Sequence, residues 1–300
     1  SPMTRFEPDL RSLFDAPVLE QVELVPDFED HGSSVFRVRT ASEHVVVRAF
    51  RAPAVDGPFW GCLNALFGID PRSAAEAASI YGLLGTVSPF PVPRVLRIGK
   101  VSGREWLVVE LMAGAPMVSF GELSDDGLQS FGRGLASIHA RRFATFGNPS
   151  GSVRYAPAEF PARLTAALRE AAKFHPQGPL SDRLLDDACA AIARLPVPDA
   201  WSLVLPDLFP PQFLHSEGQI VAFVDVDAYV IGPRELDLVV LEYFVDARSA
   251  ALIASGYVEV APLPELRDVR RAYRLFLWVL TMNPLALDEA QWMAWPQPFA

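Results

Sequence analysis

The feature that most constrains this chain is a change of hydrophobic period about a third of the way along it. Before residue 115 the apolar runs are short and rich in β-branched and aromatic residues: "QVELVPDF", "SSVFRVRT" and "EHVVVRAF". Turn-forming Asp-His-Gly and Ala-Ser-Glu separate them, which predicts a curled antiparallel sheet. One helix interrupts this region. "DPRSAAEAASIYGLLGTV" has Asp70 as its expected N-cap, Pro71 at the first helical position and an end near Gly85. "VPRVLRIGKVSGREWLVVELM" then predicts two further strands around a Ser-Gly turn, and "AGAPM" breaks the pattern. Beyond it the apolar spacing becomes three and four residues, in "SDDGLQSFGRGLASIHA", "PARLTAALREAAKF", "LSDRLLDDACAAIARL", "GPRELDLVVLEYFVDARSAALIASG" and "PELRDVRRAYRLFLWVLTM". The expectation is an α+β chain of two lobes, a small β-rich one over residues 1–114 and a larger helical one over 115–300.

Composition narrows the class of function. A chain of 300 residues, half of them hydrophobic, can bury a core in each lobe, and no apolar run approaches the roughly 20 residues of a membrane-spanning helix. The N-terminal text lacks the basic start and apolar stretch of a secretory signal, so cytoplasm is the expected location. Two cysteines, Cys62 and Cys189, without a CxxC or a His-rich neighbourhood, indicate neither a disulfide framework nor a zinc site. A net charge of −10 argues against sequence-independent binding to nucleic acid and would suit a cationic small molecule. Arg267, Arg270, Arg271 and Arg274 are expected on a solvated helix face. "PAVDGPFWGCLNALFGID", with Phe59, Trp60, Leu63, Leu66 and Phe67, is expected as a short amphipathic helix on the small lobe.

The stretch "LPDLFPPQFLHSEGQIVAFVDVDAY" carries the chemistry. Pro206-Asp207 forms a turn, Pro210-Pro211 stiffen the loop after it, and "QFLH" and "QIVAFVD" pair across Ser216-Glu217-Gly218. Such a hairpin returns Asp225 toward Asp207. With Gln212 between them, a carboxylate, an amide oxygen and a second carboxylate could converge on one volume. That is a donor set for a hard cation such as magnesium, with one carboxylate spared as a base.

These residues resemble the aminoglycoside phosphotransferase and choline kinase-like family, small-molecule relatives of the protein kinases. The family's HGDLHPGN loop, its IDWDDAG-like segment and the helix opening D-P-A-x-D-L correspond in order and spacing to Leu205–Gln212, Val224–Ala228 and Pro233–Leu238. The resemblance implies the bilobal protein kinase-like fold and magnesium-dependent transfer of a γ-phosphoryl group from ATP or GTP to a hydroxyl of a small molecule, an aminoglycoside or other antibiotic or a metabolite. It implies Asp207 as the base, Asp225 and Gln212 as metal ligands, Asp227 as a lesser neighbour of the metal, and Asp237 as an anchor for the catalytic-loop backbone.

In the β-rich lobe, "EDHGSSVFRV" resembles the loop over the phosphates, with Gly32, Ser33 and Ser34. Arg48 falls where the family has a strand lysine or arginine, Glu76 would be its ion-pair partner, and the backbone from Glu110 to Met112 would meet the adenine edge. The helical lobe would hold the acceptor, with Asp186, Asp187, Glu242 and Asp246 placed to receive cationic groups. His139 and His215 fall on no nucleophile or metal pattern and are expected to be structural. Leu205-Pro206 replaces the family's His-Gly, and Gln212 its asparagine. Those departures motivate an alternative: a catalytically weakened kinase-like protein that binds nucleotide or regulates.

Overall fold

The computed structural model describes residues 7–24, 32–176 and 182–300. Strands β1 (Val18–Glu23), β2 (Ser33–Thr40), β3 (His44–Phe50), β4 (Val95–Val101) and β5 (Arg104–Glu110) form an antiparallel sheet in the order β1-β2-β3-β5-β4. The first expected strand begins earlier than its text suggested, and residues 25–28 of that text lie outside the described residues. Successive strand residues point to opposite faces. Phe36, Val38, Val45, Val47, Trp106 and Val108 therefore pack on one side with Leu10, Leu13 and Phe14. Val46, Leu107 and Val109 face the other, toward the main core. Arg48 lies between Val47 and Ala49, so the same alternation turns it inward, away from the Leu13 and Phe14 cluster.

Helices α1 (Cys62–Phe67) and α2 (Ala74–Val87) lie between β3 and β4. The cap of α2 is Ser73, whose Oγ accepts the Glu76 N–H at 3.2 Å, and not Asp70, which pairs with Arg72 at 3.0 Å. The helix runs past Gly85 to Val87. After β5 come β6 (Ala115–Pro116), α3 (Asp125–His139), β7 (Phe146–Gly147), β8 (Arg154–Tyr155), α4 (Phe160–Ala172) and α5 (Asp182–Ala193). Then come β9 (Ser202–Val204), β10 (Phe213–Ser216), β11 (Gln219–Phe223), β12 (Val230–Gly232), α6 (Glu235–Leu241), α7 (Ala247–Tyr257), α8 (Arg270–Val279) and α9 (Glu289–Met293). The short strands make two small sheets, β11-β10-β6 and β8-β7-β12-β9, which carry the loops of the site.

Three expectations change here, the first in part. The apolar segment is split between the lobes: Leu63, Leu66 and Phe67 of α1 pack on α4 and β7 of the helical lobe, Phe67 meeting the Phe146 ring edge-on, while Trp60 meets Phe50 of β3 edge-on at 5.6 Å. The text over 232–256 divides into α6 and α7, with Asp246 capping the second through the Ser249 N–H at 2.7 Å. Arg270 and Arg274, expected in solvent, are 7% and 1% exposed because the Glu242 carboxylate binds both.

Helices α3 and α7 cross backbone against backbone. A Cβ built on Gly132 would stand 1.9 Å from the Ile253 carbonyl oxygen, and one on Gly256 would stand 1.9 Å from that of Gln129. Both neighbours are backbone, so neither can move aside as a side-chain tip would. Gly132→Ala should destabilise the protein by about 2 kcal/mol or more, the cost of overpacking a close contact, measured as a fall in the urea midpoint with the slope unchanged.

Candidate functional site

Strand β9 delivers the chain to Leu205. The Leu208 N–H donates to the Leu205 carbonyl at 3.0 Å, closing a four-residue turn with Pro206 and Asp207 at its centre. Proline pre-sets the first central φ, and Leu205 is fully buried. The loop is also tied from below: the Leu205 N–H donates to Asp237 Oδ1 at 2.8 Å, and Asp237 Oδ2 lies 2.7 Å from His139 Nε2. His139 Nδ1 in turn meets the Tyr257 hydroxyl at 2.8 Å. Burial pushes the Asp237 carboxyl up, while His139 and the Leu205 N–H pull the other way. Asp237 thus occupies the anchoring position the sequence suggested. Asp237→Asn keeps the shape but removes the charge from these hydrogen bonds, and should cost about 2–3 kcal/mol, read from thermal or denaturant unfolding.

The hairpin does what its text implies. Phe213 pairs with Phe223 and Ser216 with Gln219, across a turn in which Glu217 and Gly218 both have positive φ, 52° and 74°. The Val224 N–H then donates to the Gln212 carbonyl at 2.8 Å, so the two ends of the hairpin are fastened beside the Asp207 turn. Asp225 comes next with φ of 60°, a left-handed conformation that is uncommon for a non-glycine residue and tends to collect at functional sites.

The carboxylates meet around Arg48. Its Nη2 lies 2.7 Å from Asp225 Oδ1 and 2.7 Å from Asp227 Oδ2. Burial works against the arginine's charge, but Asp227 and Asp225 hold its pKa well above the ordinary value. Asp227 is raised chiefly by burial, against the pull of Arg48, and Tyr81 of α2 lies within hydrogen-bonding reach of it. Asp207 is pushed up to about 8, first by burial and then by the charge of Asp225, with the Gln212 side chain opposing. Among the described residues, Asp207 Oδ1, Asp227 Oδ1 and Arg48 Nε are buried without a hydrogen-bond partner. Unpaired buried polar atoms are costly and call for an explanation.

Other expected partners fall elsewhere. Glu76 does not pair with Arg48; it is bound by Asn148, Ser150 and Ser152, which tie α2 to the loop between β7 and β8. The physical reason is charge balance, because Arg48 already faces two carboxylates. The Gln212 amide oxygen, expected on a metal, accepts the Phe209 N–H at 2.9 Å and braces its own turn. Glu242, expected to receive a cationic acceptor, is fully buried and taken by Arg270 and Arg274, while Asp186 and Asp187 face Arg169 and Arg271 at 4.0 and 3.6 Å on the exposed side of α5.

Gly32 lies against the chain itself: a Cβ there would meet Trp60 Nε1 at 2.6 Å. Ser33 is half-buried, and the buried Ser34 accepts from Arg104 at 3.2 Å. Residues 29–31 of the expected phosphate loop lie outside the described residues. The Glu110 carboxylate accepts the Arg94 N–H at 2.7 Å, and the backbone of Met112 makes no hydrogen bond among the described residues. Sequence reasoning missed Tyr81 and the Asn148–Ser152 loop. Tyr81 reads as a core aromatic of α2, and the loop reads as a turn.

The donor set can be tested for fit to magnesium. Among the described residues, no group of three or more His, Cys, Asp or Glu is arranged to hold a metal alone. Magnesium in phosphoryl-transfer sites needs one or two carboxylates and takes its other ligands from phosphates and water. Asp225, with a side chain 54% exposed, fits that lesser requirement, which leaves Asp207 Oδ1 for another role. Asp225 and Asp227 share the single Arg48 guanidinium.

A family model described as the phosphotransferase enzyme family matches residues 26–273. The chain belongs to that family. It is accordingly a small-molecule phosphotransferase, acting on hydroxyl groups. Solved structures agree in fold. Macrolide 2'-phosphotransferase MphH from Brachybacterium faecium, as the apoenzyme, is 18% identical with a TM-score of 0.58, covering 96% of each chain. A thermostable mutant of aminoglycoside phosphotransferase APH(4)-Ia, in ternary complex with AMP-PNP and hygromycin B, is 17% identical with a TM-score of 0.55, over 87% of this chain and 84% of that one. A GDP complex of a mutant aminoglycoside 2'-phosphotransferase-IIIa is 17% identical at a TM-score of 0.57, over 94% and 91%. No curated protein matches in a sequence search. This phosphotransferase therefore has the expected α+β, bilobal, kinase-like fold, with an antiparallel sheet ahead of a helical region. Among its described residues no helix is long and apolar enough to cross a membrane.

Proposed function

We propose that the protein transfers the γ-phosphoryl group of ATP or GTP to a hydroxyl of a small molecule, with magnesium, between a nucleotide-binding lobe of residues 1–114 and an acceptor-binding lobe of residues 115–300. The observation that carries this reading is the unpaired, buried Asp207 Oδ1 beside Asp225, in a loop held from below by Asp237. An oxygen so placed can take the proton of an incoming hydroxyl, and its raised proton affinity suits a base working near neutrality. Asp225 would hold magnesium, which when bound supplies neutralisation of the phosphate charge. Arg48 would serve the phosphates from the inner face of β3, its Nε still unpaired among the described residues. The backbone from Glu110 to Met112 would receive the base, and Gly32, Ser33 and Ser34 would border the phosphates. Gln212 would act by keeping the Asp207 turn in shape. The AMP-PNP and GDP complexes of the similar structures support a nucleotide donor. The cytoplasm, where both nucleotides are abundant, suits this activity.

A second reading, a catalytically weakened nucleotide-binding protein, is favoured by one observation: Arg48 clasps Asp225 and Asp227, and the Gln212 oxygen is committed to Phe209. Incubating the full chain with magnesium and ATP or GTP over an acceptor panel, and looking for phosphorylated acceptor by mass spectrometry, separates the two. Transfer to any acceptor supports the enzyme. Nucleotide-dependent thermal stabilisation without transfer supports the alternative.

A further inference from the structure

A cavity of about 700 Å³ opens beside the catalytic loop. Its lining includes Pro210 of that loop, Tyr243, Phe244 and Asp246 from the turn joining α6 to α7, Trp295 of the C-terminal tail and the exposed Leu285. Phe244 meets Phe209 edge-on at 5.6 Å, which ties this wall to the turn carrying Asp207. The volume lies within the range of pockets that enclose drug-sized ligands.

The charge around this cavity is the informative part. Among the described lining residues Asp246 is the one charged group, and one of its oxygens already caps α7. Beneath the aromatic wall lies Glu242, with Arg270 and Arg274 both on its carboxylate, so one acid faces two bases and the local balance is positive. Arg274 also donates to the carbonyls of Trp295 and Pro296 at 2.7 and 2.9 Å, and the Trp295 indole donates to the Glu242 carbonyl at 3.1 Å. The tail wall is thus built in place by a buried network.

A polycation entering here would find a single carboxylate, already shared with the α7 cap, and a buried pair of arginines behind the wall. It would lose hydration without matching counter-charge. We infer that the acceptor of this phosphotransferase is a predominantly apolar hydroxylated molecule with at most one basic amine, bound between Tyr243, Phe244 and Trp295. The inference rests on the proposed phosphotransfer at Asp207 and names the substrate class of that site. Of the acids expected to receive a cationic acceptor, Asp246 alone lines this pocket: Glu242 is taken by its two arginines, and Asp186 and Asp187 sit on the outer face of α5.

Calorimetric titration of the full chain with erythromycin (a largely apolar macrolide with one tertiary amine), chloramphenicol (neutral and apolar) and hygromycin B (polycationic) tests the class without requiring turnover. The expected result is that at least one of the first two binds about tenfold or more tighter than hygromycin B. Trp295→Ala should weaken that ligand about tenfold. Because Trp295 also supports the tail, Leu285→Asp provides a second variant. It should weaken the apolar ligand and strengthen hygromycin B, a reversal that simple loss of structure does not produce. Hygromycin B binding as tightly as the apolar probes, failure of both apolar probes to bind, or indifference to both substitutions overturns the inference. Phosphate transfer from ATP or GTP is measured in parallel. Preferential apolar binding without transfer to any acceptor counts against phosphotransfer at Asp207, whereas transfer to hygromycin B alone supports phosphotransfer and overturns the acceptor class.

Discussion

Asp207→Asn should lower kcat by about 10³-fold while leaving nucleotide binding within a few-fold of the parent, since a positioned general base contributes between about 10² and 10⁴. Asparagine fits the turn between Pro206 and Leu208 and retains an oxygen near Gln212, so the loss would report proton acceptance and not collapse of the loop. The same variant should behave oppositely in stability. Burial and Asp225 raise the folded-state carboxyl to about 8, from an ordinary value of 3.8. Below pH 4 the group is protonated in both folded and unfolded chains and contributes no difference. As pH rises from 4 to 8 the unfolded chain gives up this proton while the folded chain keeps it, so the parent loses stability; above 8 the deficit is constant. In EDTA and without nucleotide, the melting temperature of Asp207→Asn should therefore match the parent near pH 4, exceed it increasingly toward pH 8, and keep that lead above it. A gap independent of pH would remove the basis for the raised value.

Glu242→Gln should unfold the protein more easily by about 3–5 kcal/mol, the usual result of deleting one partner of a buried ion pair. In a chain of this size that is roughly a 10 °C fall in melting temperature. The carboxylate is fully buried and accepts Arg270 Nε at 2.9 Å, Arg274 Nη2 at 3.0 Å and Arg270 Nη2 at 3.2 Å. It also takes the Phe299 N–H at 3.3 Å. The neutral amide has nearly the same volume, so the loss would measure uncompensated charge and not a cavity. Because the network also seats the tail, limited proteolysis should cut after residue 290 faster in the variant. Replacing Glu242, Arg270 and Arg274 together by apolar residues of similar size should recover much of the stability, since the desolvation cost of all three charges is then removed. If Glu242→Gln melts within 2 °C of the parent, the Glu242 charge does not hold the two buried arginines in place.

How far the text carried the argument depends on the kind of information each residue needed. The sheet, the helices and the 205–229 hairpin were legible because they rest on local periodicity and turn chemistry: alternation in "SSVFRVRT" and "HVVVRAF" sets the faces of β2 and β3, and Glu217-Gly218 supplies the positive φ of the turn. The convergence of Asp207 and Asp225 was legible for the same reason, since a hairpin returns its ends to one place. Tertiary contact decided the rest. Arg48 could have been given to Glu76, Asp225 or Asp227, and only the folded charge balance assigned it to the two aspartates. Arg270 and Arg274 have the spacing of a solvated helix face, and Glu242, lying far off in the sequence, drew them into the core. The α1 segment read as amphipathic, but which apolar surface it would cover was set by the shape of α4 and β7. Sequence period determines which way a side chain points from its own element. What it meets there depends on packing between elements distant in the chain, where burial magnifies charge and no local pattern records the partner.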